Sequence, residues 1–177
     1  MKYIAFLRGI NVGGNKKVPM IDLKKSLESF DLTDVKTLLN SGNVVFETQE
    51  KEASLITQQI QQKLEKDFGF KIPVIIRTSE ELQFLVATDP FRNITITPET
   101  RLYVTFSSEE TKGNLKIPYE SSEKDFGILQ VSNANICSFL ILSPKRGTID
   151  LMRFIEKEFG KKVTTRNWNT VVKLASL

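Results

Sequence analysis

The sequence predicts an α+β fold built from two related ferredoxin-like halves of βαββαβ type packed together. Three observations carry that reading. Strand and helix signals alternate in the order βαββαβ through the first 78 residues. The segment Glu65-Lys-Asp-Phe-Gly-Phe-Lys-Ile72 recurs as Glu156-Lys-Glu-Phe-Gly-Lys-Lys-Val163, with five identities in eight. In the first strand candidate, Tyr3, Ala5 and Leu7 share one side and Ile4 and Phe6 the other, so both faces are apolar and need covering.

Each element has a local cause. Lys2 to Arg8 is the first strand. Met20, Leu23, Leu27 and Phe30 then form one apolar helix face, with Pro19 suited to its first turn. Val35 to Leu39 and Val44 to Glu47 are short β-rich runs joined by Asn40-Ser41-Gly42-Asn43, a hairpin composition. Ile56, Ile60, Leu64 and Phe68 fall four apart on a second helix that stops at Gly69. Ile72 to Arg77 is the fourth strand, and Thr78-Ser-Glu-Glu81 is a capping box opening a helix that ends before Asp89-Pro90.

Residues 1–88 form the first predicted half, 89–100 a connector and 101–177 the second half. Strand candidates there are Leu102 to Phe106, Phe126 to Val131 and Ile136 to Leu142. A helix from Ile149 to Phe159, a strand from Lys162 to Thr165 and a helix over Trp168 to Leu174 follow. The stretch from Ser107 to Lys124 is polar and carries no clear periodicity.

Composition removes several chemistries. The chain has 177 residues, no histidine and one cysteine. Histidine-ligated zinc, Ser-His-Asp triads, Cys-His dyads and an internal disulfide framework are therefore excluded. No metal site is expected, and the sequence names no cofactor. No apolar run approaches the ~18 residues of a membrane span, and the N-terminus does not read as a signal peptide, so no membrane and a cytoplasmic location are expected. A net charge of +4, with both signs interspersed, supports nucleic-acid binding only weakly.

Three segments carry possible chemistry. The loop Arg8-Gly-Ile-Asn11-Val-Gly13-Gly14-Asn-Lys16-Lys17 combines glycines, lysines and a following helix start, which together suit an anion. Lys17 replaces the Ser/Thr of a P-loop, and the glycines miss the Rossmann spacing. A tight connection with solvated lysines is the other reading. Ser41 and Asn43 of the hairpin turn can bind a polar ligand or simply turn the chain. Asn43 and Val45 stand where RNA-recognition strands place stacking aromatics, so any nucleic-acid binding is weak and through phosphates. In Thr164-Thr-Arg166-Asn167-Trp168-Asn-Thr170, Asn167 can cap the last helix, Arg166 can offer a guanidinium fork, and Trp168 can stack on a ligand or anchor a core.

The words LRGINVGGNKKVPM, LLNSGNVVFE and TTRNWNTVVKL, in that order across nearly the whole chain, resemble the family known as domain of unknown function 1697. The resemblance implies a bacterial-type cytoplasmic protein with a duplicated ferredoxin-like architecture, and it implies no activity. Arg8, Gly9, Asn11, Gly13, Gly14, Ser41, Gly42, Asn43, Arg166, Asn167, Trp168 and Thr170 carry over as family-pattern positions without roles.

The functional expectation is a binding module for a small anionic or phosphorylated ligand at the junction of the halves. Arg8, Asn11, Gly13, Gly14, Lys16, Ser41, Asn43, Arg166, Asn167 and Trp168 are its candidate residues. The alternatives are an enzyme working without histidine through Arg/Asn electrostatics, and a weak phosphate-backbone nucleic-acid binder.

Overall fold

The computed structural model describes residues 1–50, 52–111 and 114–177. It is a mixed α/β structure with two antiparallel sheets and five helices. The chain divides into two compact units, Met1–Gln83 with Leu174–Leu177, and Phe84–Lys173.

In the first unit, β1 (Lys2–Leu7), α1 (Met20–Glu28), β2 (Thr33–Leu38), β3 (Asn43–Glu47), α2 (Ala53–Phe68) and β4 (Val74–Thr78) follow in sequence. The strand order is β2-β3-β1-β4, and every pair is antiparallel. β1 is central, and both of its faces are buried. Tyr3, Ala5 and Leu7 pack with Leu23, Leu27, Ile56, Ile60 and Leu64 of the two helices. Ile4 and Phe6, pointing the other way, are equally inaccessible.

Helix ends follow local chemistry. α2 stops at Gly69, whose φ of 80° is left-handed and whose N–H donates to the Glu65 carbonyl at 2.9 Å. The capping box forms at the start of α3 (Ser79–Ala87): Thr78 Oγ1 accepts from the Glu81 N–H at 3.1 Å, and Glu81 Oε2 accepts from the Thr78 N–H at 2.6 Å.

The second unit contains β5 (Thr100–Ser107), β6 (Tyr119–Glu120), β7 (Phe126–Ser132), β8 (Asn135–Ile141), α4 (Thr148–Phe159) and β9 (Val163–Asn167). α5 (Trp168–Ala175) follows β9 directly. The order is β6-β7-β8-β5-β9, again antiparallel. Leu151 and Ile155 of α4 close a core with Tyr103, Phe126, Ile128, Ile136 and Leu140.

This unit departs from the expected βαββαβ plan. The connection from β5 to β7 carries the short edge strand β6, and no helix, among the described residues. Its sequence lacks the three-and-four spacing of apolar residues that would give a helix a face to bury.

Each sheet's edge strand β4 or β9 runs without a loop into a helix, and each has a buried arginine one residue before its end. Arg77 Nη1 donates to the Ile76 carbonyl at 2.9 Å and Arg166 Nη1 to the Thr165 carbonyl at 2.9 Å. No helix among the described residues is long and apolar enough to cross a membrane.

Candidate functional site

The glycine-rich loop is shaped by backbone geometry. Gly9, Asn11, Gly13, Gly14 and Lys16 all adopt positive φ, between 48° and 78°. Asn11 holds the loop together. Its Oδ1 accepts from the Val18 N–H at 2.8 Å, while its Nδ2 donates to the carbonyls of Val18 at 3.0 Å and Asn40 at 2.9 Å. Lys17, Val18 and Pro19 separate Lys16 from the helix start. α1 begins only at Met20, after Pro19, and carries Asp22 in its first turn, where a carboxylate occupies the positive end of the helix. Lys16 Nζ instead lies 5.8 Å from the centroid of the Phe70 ring.

The hairpin turn lies at the same end of this unit. Asn43 is fully buried, and its Nδ2 donates to the Leu38 carbonyl at 2.8 Å and to Ser41 Oγ at 2.9 Å. These bonds turn the chain. Gly42 has φ 74°, its carbonyl accepts from the Leu7 N–H at 2.8 Å, and a Cβ there would meet Ile10 Cδ1 and Leu7 Cβ at 2.7 Å. Asn11, Gly14, Lys17 and Asn40 line a shallow concavity of about 420 Å3 with Val18, Pro19 and Met20. Arg8, Gly13, Lys16, Ser41 and Asn43 are not among its lining residues.

The second unit holds a larger cavity, about 620 Å3, lined by Asp89, Phe91, Ile96, Thr100, Arg101, Leu102 and the run Asn167, Trp168, Asn169 and Thr170. Strand register explains the assembly. β9 pairs with β5 so that Asn167 lies opposite Tyr103, which brings Arg101, two residues earlier on β5, toward the start of α5. Arg101 Nη1 donates to the carbonyls of Pro98 and Thr100 at 2.8 and 2.9 Å, and these bonds orient the guanidinium. Phe91 is buried and meets Trp168 edge-on, with centroids 5.0 Å apart and planes at 65°.

Thr170 completes the wall. It is 7% exposed and lines the cavity. The first turn of α5 contains no acidic residue of its own, and Asp89 is the carboxylate that lines the cavity with it.

Arg166 requires a correction. The sequence reading offers its guanidinium to an anion at the start of the last helix. It is instead a β9 residue, 8% exposed, with Nη1 donating to Thr164 Oγ1 at 2.8 Å as well as to the Thr165 carbonyl. Burial pushes its pKa down to about 10, which leaves it charged at neutral pH. It does not line the cavity, because alternate strand residues point to opposite faces and Asn167 takes the cavity side.

Of the candidates in this unit, then, Asn167 and Trp168 come together at the cavity. Sequence reasoning missed Arg101, Asp89 and Phe91, which lie in or beside the predicted connector. Nothing in their spacing marks them, since only the β5–β9 register brings them to α5. Among the described residues no cluster of three or more metal-ligating side chains occurs.

The family model described as Protein of unknown function (DUF1697) matches residues 1–133. The chain belongs to that family. The DUF1697 match takes in the glycine loop, the hairpin turn and strands through β7, while α4, β9 and α5 lie beyond it. The solved structure of the conserved bacterial protein SP0830 from Streptococcus pneumoniae shares the fold. It has a TM-score of 0.75 and 20% identity, over 99% of this chain and 97% of that one. No curated protein matches the chain. Membership in DUF1697 therefore places the chain in a family of unknown function.

Proposed function

We propose that the protein binds a small anionic or phosphorylated molecule in the cavity at the start of α5. The observation that carries the reading is the wall itself: the Arg101 guanidinium, oriented by the Pro98 and Thr100 carbonyls, shares one cavity with Thr170 and the start of α5. The Thr170 hydroxyl on that wall can donate a hydrogen bond to a ligand oxygen. Charge supports an anion: Arg101 is oriented on the same wall, and the first turn of α5 adds N–H donors and carries no acidic residue of its own, Asp89 being the carboxylate among the lining residues.

Trp168 is the single tryptophan, so its fluorescence reports on this cavity alone. Titration with inorganic phosphate and sulfate should change that emission saturably, and Arg101→Ala should weaken the response about tenfold, a typical loss for one charge-assisted contact. An unchanged emission at millimolar anion, with no heat of binding by calorimetry, would sink the reading.

We further propose that 1–88 and 101–177 are related halves descended from one βαββαβ plan, the second without the helix after its first strand among the described residues. Supporting this are the common order of the four main strands, the buried arginine one residue before the end of β4 and β9, and the matched helix ends. Gly160 ends α4 as Gly69 ends α2, with its N–H on the Glu156 carbonyl at 3.0 Å.

A further inference from the structure

The cavity is too large for a bare anion. About 620 Å3 is the room of roughly twenty waters at ~30 Å3 each, and it falls within the ~300–1,000 Å3 range of sites for organic ligands. Its lining is also divided in chemistry. Thr170, Arg101 and the α5 N–H groups suit a phosphate, whereas Trp168 and Phe91 form an apolar, aromatic wall.

The geometry of that wall is informative. Phe91 is buried and meets Trp168 edge-on, so it holds the indole in place without laying a parallel ring upon it. Trp168 is half-buried and faces the cavity, a position from which it can stack on a flat ring. Beside it the exposed amides of Asn167 and Asn169 present both donors and acceptors, the pattern that reads the edge of a heterocycle. Asp89 adds an acceptor for sugar hydroxyls or a ring amino group.

We infer that the ligand is a phosphate monoester carrying a flat heterocycle, of the nucleoside monophosphate class, with its phosphate at Thr170 and Arg101 and its ring on Trp168. This rests on the anion-binding reading above and adds the ring to it.

The test is a calorimetric series on the full chain with inorganic phosphate, ribose phosphate, adenosine and the monophosphates of adenosine and uridine. A nucleoside monophosphate should bind about tenfold or more tighter than ribose phosphate, as base stacking on an aromatic side chain typically provides, and adenosine should bind more weakly than its monophosphate. Trp168→Leu should remove that preference while leaving ribose phosphate affinity unchanged, with its melting curve confirming the fold; the wild-type series decides the question if the variant does not fold. Equal affinity for ribose phosphate and the nucleotides would overturn the ring while leaving anion binding in place. Absence of binding by every phosphate compound would overturn both. A single-stranded oligonucleotide that binds much more tightly than the mononucleotides would overturn the small-molecule class.

Discussion

The side-chain amide of Asn11 donates to the backbone carbonyl of Asn40 at 2.9 Å, tying the loop after β1 to the hairpin between β2 and β3. With its two bonds to Val18, it makes Asn11 a structural staple, and Asn11 also has positive φ, which asparagine tolerates better than most residues. Asn11→Ala should therefore destabilise the protein by about 1–3 kcal/mol in urea unfolding, while phosphate affinity at the second unit's cavity stays within twofold. A large loss of affinity with unchanged stability would instead make Asn11 a ligand residue.

Two glycines with positive φ should respond differently to alanine. At Gly42 the new Cβ meets Ile10 and Leu7 at 2.7 Å, whereas at Gly13 nothing lies within 4 Å. Gly13→Ala should cost only the backbone term, about 1 kcal/mol, and Gly42→Ala should cost ~2–4 kcal/mol because overpacking adds to it. Denaturant midpoints check the order, and equal losses would contradict it.

Burial makes Arg166 a stability residue. Its removal takes a long side chain from the interior and strips Thr164 Oγ1 and the Thr165 carbonyl of their donor. Arg166→Ala should destabilise by ~2–4 kcal/mol in urea unfolding. A loss below ~0.5 kcal/mol, the usual size at surface positions, would show that the guanidinium contributes nothing there.

Thr170→Val is nearly isosteric and deletes the hydroxyl on the cavity wall. It should leave stability within about 0.5 kcal/mol while weakening phosphate binding several-fold. A loss of affinity at unchanged stability is the signature of a group that meets a ligand; a stability loss with unchanged affinity would place its role in the fold.

Asp125 should contribute acid sensitivity. Burial alone would raise its pKa, but hydrogen bonds from Arg146 Nε at 2.8 Å and Ser121 Oγ at 2.7 Å outweigh it and hold the pKa below the ordinary 3.8. A depressed folded pKa means that the unfolded chain takes up the proton first, so the stabilisation is present above about pH 4 and disappears as pH falls through the folded pKa. Asp125→Asn should be less stable than the parent at pH 7, with the gap narrowing below pH 4. A gap independent of pH would rule out the ionised carboxylate as its source.

Much of the fold is readable from local signals. The buried face of α2 follows from Ile56, Ile60 and Leu64 at four-residue spacing, its end from Gly69, and the start of α3 from the Thr78–Glu81 capping box. The burial of both sides of β1 follows from its doubly apolar sequence. The unpatterned stretch after β5 carried no helix signal, and the described residues there form none. The candidate cavity was readable only through Asn167 and Trp168, since Arg101, Asp89 and Phe91 lie in segments whose composition suits a connector or an ordinary strand.

Element type, helix ends and the glycine-dependent turns were thus decided by the sequence itself, because each depends on side chains and backbone torsions within a few residues of one another. The burial of Arg166 and the meeting of Arg101 with Trp168 and Thr170 were decided by tertiary structure alone. Both depend on β9 pairing with β5 in one register, and a shift of one residue would exchange the faces of Arg166 and Asn167. That register is chosen by the burial of whole strand faces far apart in the chain, a cooperative energy that no local pattern of residues contains.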